Sequence, residues 1–170
     1  MPSRPDRPAL ALFADQYELS MMQSYRAAGM EGIAVFSLFV RRLPPTRNYL
    51  LACGLETVLN YLEGLRFTDE DLAYLRGLGQ YAPDFIESLS DFRFAGDVFA
   101  VPEGTPVFPN EPILEVEAPI AQAQLVETFV MNQVHLATIL ASKAARVVDA
   151  AAGRTVVDFG ARRMHGIDAA

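Results

Sequence analysis

The sequence predicts an α/β chain in two parts. The first is a unit mixing helices with a small antiparallel sheet, and the second a long helix and parallel-type strand that begin a β/α array. Three observations carry this reading. Pro102, Pro106, Pro109 and Pro112 punctuate short β-prone pieces between Arg93 and Val116. An apolar helical region then runs from Pro119 to Ala152. After it, Val156-Val157-Asp158-Phe159-Gly160-Ala161-Arg162-Arg163 feeds an apolar run into a glycine and two adjacent arginines.

Each element has its own justification. Asp15, followed three residues later by Glu18, predicts a capping box opening a helix that ends near Gly29. Leu19, Met22 and Tyr25 give that helix one apolar face. Ile33 to Val40 is β-branched and aromatic on both sides, the pattern of a buried strand, and Pro44-Pro45 forbid its continuation. Residues 49–62 regain helical spacing through Leu51, Leu55, Val58, Leu59 and Leu62, with Gly64 as the stop. Thr68-Asp69-Glu70-Asp71 opens a second short helix, its acids at the favourable end of the dipole, and Pro83 to Leu89 forms a third.

Prolines confine strands to edges, starts and bulges, which predicts the pieces Asp97–Val101, Thr105–Phe108 and Ile113–Glu117. Glu115 and Glu117 alternate with apolar neighbours, so one face of the last strand is expected to be wet. Pro119 suits a first helical turn. The region it opens is apolar enough to be buried on most sides, with a break expected near Asn132-Gln133 and closure at Gly153. Thr155–Phe159 is expected as a buried strand.

Composition narrows the chemistry. The chain has 170 residues and a net charge of -7, which argues against generalised nucleic-acid binding but leaves room for a small anionic ligand. Cys53 is the sole cysteine, excluding an intramolecular disulfide or a thiolate metal cage and fitting a reducing cytoplasm. The proline-rich opening Met1 to Pro8 lacks the apolar core of a signal peptide and reads as a disordered tail. No stretch approaches the roughly 18 apolar residues of a membrane span.

Arginines leaving the end of a strand are placed to hold an anion, and the planar guanidinium matches carboxylate or phosphate two bonds at a time. For Arg162 and Arg163 a ligand role and a surface ion pair are equally consistent with the residues alone. Arg41-Arg42 either meet an anion or mark the exit of the first strand to solvent. Tyr17, in the first turn of its helix, reads by default as ordinary packing. His165 is expected to hydrogen-bond beside a site rather than act as a base, and His135 to be a buried, hydrogen-bonded core residue. The two histidines make no metal-binding spacing. No Walker loop, dinucleotide Gly-x-Gly-x-x-Gly or serine nucleophile elbow is present.

Taken in order, the motifs resemble one family. Leu12-Phe13-Ala14-Asp15-Gln16-Tyr17-Glu18-Leu19-Ser20-Met21 resembles the opening motif of nicotinate phosphoribosyltransferases. Phe39-Val40-Arg41-Arg42-Leu43-Pro44, Phe92-Arg93-Phe94, Pro102-Glu103-Gly104 and Phe108-Pro109-Asn110-Glu111-Pro112 follow in the same order. So do Gln124-Leu125-Val126-Glu127-Thr128, Ser142-Lys143-Ala144-Ala145-Arg146 and Asp158-Phe159-Gly160-Ala161-Arg162-Arg163.

The resemblance implies an enzyme of NAD and pyridine nucleotide biosynthesis. It joins nicotinate to phosphoribosyl pyrophosphate with ATP hydrolysis, a glycosyl transfer of the ligase class. It also implies a homodimer with shared active sites, and Mg2+ and ATP as cofactors. The implied fold is an N-terminal α/β domain over residues 9–117, after the tail at 1–8, then the start of an irregular α/β barrel at 118–170, truncated by the end of the sequence. By motif, Tyr17 stacks on the pyridine ring from the neighbouring subunit and Phe159 forms the ring's other face. Arg162 lies near the nicotinate carboxylate and the phosphate with Arg163 supporting it, Asp15 helps place the ring, and Arg41 reaches phosphate across the dimer. The family's phosphohistidine motif lies beyond Ala170, so neither histidine here fills that role. A fragment of this extent is expected to be inactive alone. Two other readings remain: a phosphoribosyltransferase for nicotinamide or another pyridine base, and a non-catalytic, truncated dimerisation domain.

Overall fold

The computed structural model describes residues 10–166, so the tail expected at residues 1–8 lies outside the described residues. The elements in order are α1 (Gln16–Ala27), β1 (Ile33–Phe39), β2 (Leu50–Leu51), α2 (Leu55–Gly64), α3 (Asp69–Leu78) and α4 (Pro83–Ser88). Next come β3 (Asp97–Ala100), β4 (Pro106–Val107), β5 (Pro112–Pro119), α5 (Ile120–Leu125), α6 (Glu127–Ala151) and a 3-10 turn (Ala161–Arg163).

The caps fall where local chemistry puts them. Asp15 caps α1, and its N–H donates to Glu18 Oε2 at 3.0 Å. Thr68 and Asp71 form a reciprocal capping box on α3, which Gly79 closes in the left-handed region at φ 64°. Pro83 starts α4. α2 follows a different rule. Gly54 precedes it at φ 110° with no capping side chain of its own. Glu103, from the turn before β4, supplies the missing acceptor: Oε1 takes the N–H groups of Gly54 at 3.0 Å and Glu56 at 3.3 Å.

β5 is the centre of a three-stranded antiparallel sheet in the order β1-β5-β3. Its register pairs Phe36 and Val98 with Val116 on the covered side, and Val35 and Asp97 with Glu117 on the open side. α5 packs on β5 and β1, and α1 packs on α5. β3 closes tightly onto β5 because Gly96 carries no side chain; a Cβ there would lie 2.5 Å from that of Ala118. Glu115 and Glu117 line the wet face as the alternation predicts, and Ser37 Oγ donates to Glu115 Oε1. β1, expected to be buried, is instead an edge strand. Only its Ala34, Phe36 and Leu38 side is covered, and Ile33 and Val35 are 63 % and 57 % exposed because no helix lies over the other face.

The expected helix over 49–62 divides in the structure. Leu50 and Leu51 pair with Val107 and Pro106, and the helix begins at Leu55 and includes Gly64. The apolar spacing fits either structure; side chains from α6 decide it. Ser142 Oγ accepts the Leu51 N–H at 2.8 Å, and Thr138 Oγ1 accepts the Cys53 N–H at 3.1 Å. Thr138 also donates to the Cys53 carbonyl at 3.2 Å. Arg146 donates to the Tyr49 carbonyl at 2.7 Å with its guanidinium 4.5 Å over that ring. Four helical residues rise about 6 Å and two strand residues about 6.6 Å, so Thr138, Ser142 and Arg146 step along α6 in time with Cys53, Leu51 and Tyr49. A helix thus satisfies the strand edge that β4 leaves open.

α6 departs from expectation in two further ways. The break in the helical region falls at Val126, separating α5 from α6, and not near Asn132. Its buried stripe is Phe129, Val130, Val134, Thr138 and Ser142, while Met131, Leu136, Leu140, Val147 and Val148 are exposed. His135 lies one residue off that stripe and is exposed, not a core histidine. Beyond Ala152 and Gly153, both left-handed, Thr155–Phe159 forms no strand. Val156, Val157 and Phe159 are exposed, since a single strand with no neighbour has nothing to pair with or cover it. The core gathers Leu19, Met22, Val58, Leu62, Leu114, Val116, Leu125 and Val130; each such side chain contributes about 1.5–3 kcal/mol by burial.

Candidate functional site

The first turn of α1 meets the first turn of α6. Asp15 ends an extended segment at φ -73° and ψ 146°, leaving its N–H and those of the first helical residues in need of acceptors. Glu18, one turn on, is fully buried. Its Oε2 takes the Asp15 N–H, while Oε1 takes the Thr128 N–H at 2.9 Å and the Thr128 hydroxyl at 2.8 Å. The same hydroxyl lies 3.1 Å from Asp15 Oδ2. One carboxylate therefore caps two helices, and their positive dipole ends help hold its charge away from water. Burial pushes the Glu18 carboxyl above its ordinary value and the Glu127 charge adds to this, against the lowering effect of the bonds from Thr128 and Asp15.

Tyr17 stands beside this knot and is 45 % exposed. Partial burial, the Glu127 carboxylate beside it and the charges of Glu18 and Asp15 push its phenol up to about 12, so the hydroxyl keeps its proton at neutral pH. Glu127 is itself held by Gln124, whose Nε2 donates to Oε2 at 2.7 Å. Glu127 also lines a cleft of about 260 Å³ between β1 and α6, with Phe36, Phe39, Val126, Met131 and Arg41 among its walls. The cleft has an apolar floor, one carboxylate and one exposed guanidinium at its rim.

The structure brings Asp15 and Tyr17 together and sets Arg41 on the cleft lined by Glu127, the residue beside Tyr17. It does not bring the C-terminal set to them. Phe159 is 78 % exposed, Arg162 and Arg163 are exposed in the 3-10 turn, and that turn packs substantially against no other element. The local geometry there is an Asp158 turn, Oδ1 accepting the Gly160 N–H at 2.6 Å. His165 is exposed just beyond it. The sequence marks Glu18 as a cap and sets Glu18, Glu127 and Thr128 within family motifs, without giving any of them a role in the site. Their signal was an acid and a hydroxyl at the start of an apolar helix, a pattern that also serves ordinary capping. Among the described residues no group of three or more His, Cys, Asp or Glu side chains could hold a metal ion. No helix among them is long and apolar enough to cross a membrane.

Comparison with known proteins gives this geometry its context. Residues 12–135 match the family model described as nicotinate phosphoribosyltransferase (NAPRTase) N-terminal domain. The nicotinate phosphoribosyltransferase pncB2 of Mycobacterium tuberculosis is 61 % identical over 160 residues, covering 94 % of this chain and 35 % of that protein. The nicotinate phosphoribosyltransferase of Bacillus subtilis is 44 % identical over 163 residues, covering 95 % and 33 %. The crystal structure of human nicotinic acid phosphoribosyltransferase superposes with a TM-score of 0.81 at 33 % identity, over 91 % of this chain and 32 % of that one. The chain spans about a third of the length of the curated relatives it matches.

Proposed function

The chain belongs to the nicotinate phosphoribosyltransferase family, and on that premise we propose that it supplies the N-terminal domain of an enzyme that joins nicotinate to phosphoribosyl pyrophosphate. The products are nicotinate mononucleotide and pyrophosphate, in a step coupled to ATP hydrolysis that feeds NAD synthesis. The observation that carries this reading is the exposed Tyr17 ring, fixed at the meeting of two helix N-termini beside an apolar cleft.

In this reading Tyr17 offers one face to the electron-poor pyridine ring, and Phe159 the other once the segment carrying it is packed. Aromatic faces hold a flat ring while leaving its nitrogen free to attack. Asp15 and the Tyr17 turn fix the ring's placement, Arg162 pairs with the carboxylate with Arg163 supporting it, and Arg41 reaches a phosphate across a homodimer. Departure of pyrophosphate leaves positive charge on the ribose, so rate depends on positioning and on cations near the leaving oxygens. Mg2+ and ATP belong to the reaction by resemblance, and no step is assigned through them to the residues described. A lone cysteine and the absence of a charge pattern for nucleic acid support a cytoplasmic enzyme of small molecules.

The test is product formation by the complete protein from phosphoribosyl pyrophosphate and ATP, with nicotinate and nicotinamide compared. Preference for nicotinate is expected. Preference for the amide overturns the choice of base, and no turnover with either favours the non-catalytic dimerisation reading.

A further inference from the structure

We infer that Glu18 and Thr128 are positioning residues for the substrate ring, acting through Tyr17; this rests on the reading of Tyr17 as the residue that stacks on the base. Three features of the knot support it. Glu18 is adjacent to Tyr17 in the first turn of α1, and its carboxylate accepts the Asp15 N–H on the other side of Tyr17, so it ties the turn that carries that ring. Two of its three bonds reach outside its own helix to Thr128, the second residue of α6, next to Glu127, which faces the Tyr17 phenol. Finally, the carboxylate is fully buried with hydrogen-bond donors as its partners, a costly arrangement for holding one helical turn when an exposed cap would serve.

The acceptor pattern makes the device sensitive to a single atom. Both Glu18 oxygens receive an N–H: Asp15 on Oε2 and Thr128 on Oε1. A glutamine of the same shape must turn its NH2 toward one of those donors, so either rotamer loses a tie to one helix. Thr128→Val keeps the backbone N–H and removes only the hydroxyl that also lies 3.1 Å from Asp15 Oδ2. Tyr17 then keeps its side chain and loses its fixed direction.

The experiment uses the complete protein and steady-state kinetics with nicotinate and phosphoribosyl pyrophosphate varied separately. Glu18→Gln and Thr128→Val are expected to raise the nicotinate KM by about three- to tenfold and to leave the phosphoribosyl pyrophosphate KM within about twofold. Thr128→Ser, which retains the hydroxyl, is expected to restore the wild-type value. In a Tyr17→Ala background, Glu18→Gln is expected to add less than about twofold, because the ring it directs is gone. Should Tyr17→Ala raise the nicotinate KM while Glu18→Gln and Thr128→Val do not, the positioning role is overturned and the stacking reading stands. Equal losses from Glu18→Gln with and without Tyr17 overturn it too, as a general structural role. A Tyr17→Ala enzyme with unchanged nicotinate KM overturns the stacking reading and the inference with it. Thr128→Val and Thr128→Ser keep the question open to measurement if Glu18→Gln fails to fold.

Discussion

Tyr61 on α2 stacks on Phe129 of α6 with ring centroids 3.7 Å apart and planes 12° from parallel, while its hydroxyl is buried without a hydrogen-bond partner among the described residues. Phe13 meets the other partner of the stack edge-on at 5.8 Å. The ring is thus placed by packing, and the oxygen is carried into the core at a desolvation cost. Burial, with the charge of Glu18 adding to it, holds the phenol far above its ordinary value.

Tyr61→Phe keeps the stack and removes the stranded oxygen. Stability is expected to be unchanged or to rise by up to about 1 kcal/mol. Urea denaturation midpoints at constant slope measure this; a loss larger than that would show that the hydroxyl is satisfied.

Ser142→Ala and Thr138→Val leave the N–H groups of Leu51 in β2 and of Cys53 just after it without their acceptors on α6. Each is expected to destabilise by about 1–3 kcal/mol. Removing an exposed α6 side chain such as Leu140 gives the control, with an expected change within about 0.5 kcal/mol. Equal effects at all three positions would mean that the strand edge does not depend on these hydroxyls.

Cys53 donates to Glu103 Oε2 at 2.7 Å. Burial first, then the hydrogen bond and charge of Glu103, push the thiol above its ordinary value. It is therefore expected to react slowly with a disulfide reagent at neutral pH, and Glu103→Gln to speed that reaction. Although burial pulls the Glu103 carboxyl upward, the Cys53 thiol and the N–H groups of Glu56, Gly54 and Leu55 hold it below its ordinary value of 4.5. A carboxyl lowered by folding stabilises the folded state above its unfolded value, and that contribution disappears as pH falls through the folded one. The wild-type protein is therefore expected to lose stability on acidification below about pH 4.5 more steeply than Glu103→Gln, read from thermal midpoints across that window.

Tyr17→Ala in the complete protein is expected to weaken nicotinate binding by an amount on the order of 1 kcal/mol, appearing in KM. Arg162→Ala is expected to be the more damaging of the two, because the carboxylate loses its paired cation. Near-wild-type kinetics for both variants would sink the site assignment.

Local chemistry was legible where it is decided within a few residues. The Asp15–Glu18 and Thr68–Asp71 caps and the Pro83 start stand as the sequence reads them; the proline-divided strands form near their expected places, with β4 reduced to Pro106–Val107 in a separate pair with β2 and β5 running on to Pro119. What failed depended on distant partners. Leu50 and Leu51 become a strand because of hydroxyls more than 80 residues later, which apolar spacing does not encode. Thr155–Phe159 has the composition of a strand and lacks a strand to pair with, so β-propensity alone leaves it irregular and exposed. His135 is exposed because α6 buries one stripe, whereas its apolar composition predicts burial on most sides. Of the candidate site, the capped turn that places Asp15 beside Tyr17 was legible from local spacing. Glu18 and Thr128 could not be paired in advance, since 110 residues separate them and each has an ordinary explanation alone.

α6 is fastened at two stations. Near its start, Thr128 is tied to Glu18; ten residues on, Thr138 is tied to Cys53. A rigid helix converts those ten residues into a length of about 15 Å, so α6 works as a ruler that sets the Tyr17 turn at a fixed offset from the strand at Leu50–Leu51. Substitutions between the stations change what lies along the ruler and leave its divisions intact. A single inserted residue would shift one station by about 1.5 Å and turn it by about 100°, so the two fastenings could no longer be made by the same helix. The count of residues in this stretch is accordingly more constrained than their identity.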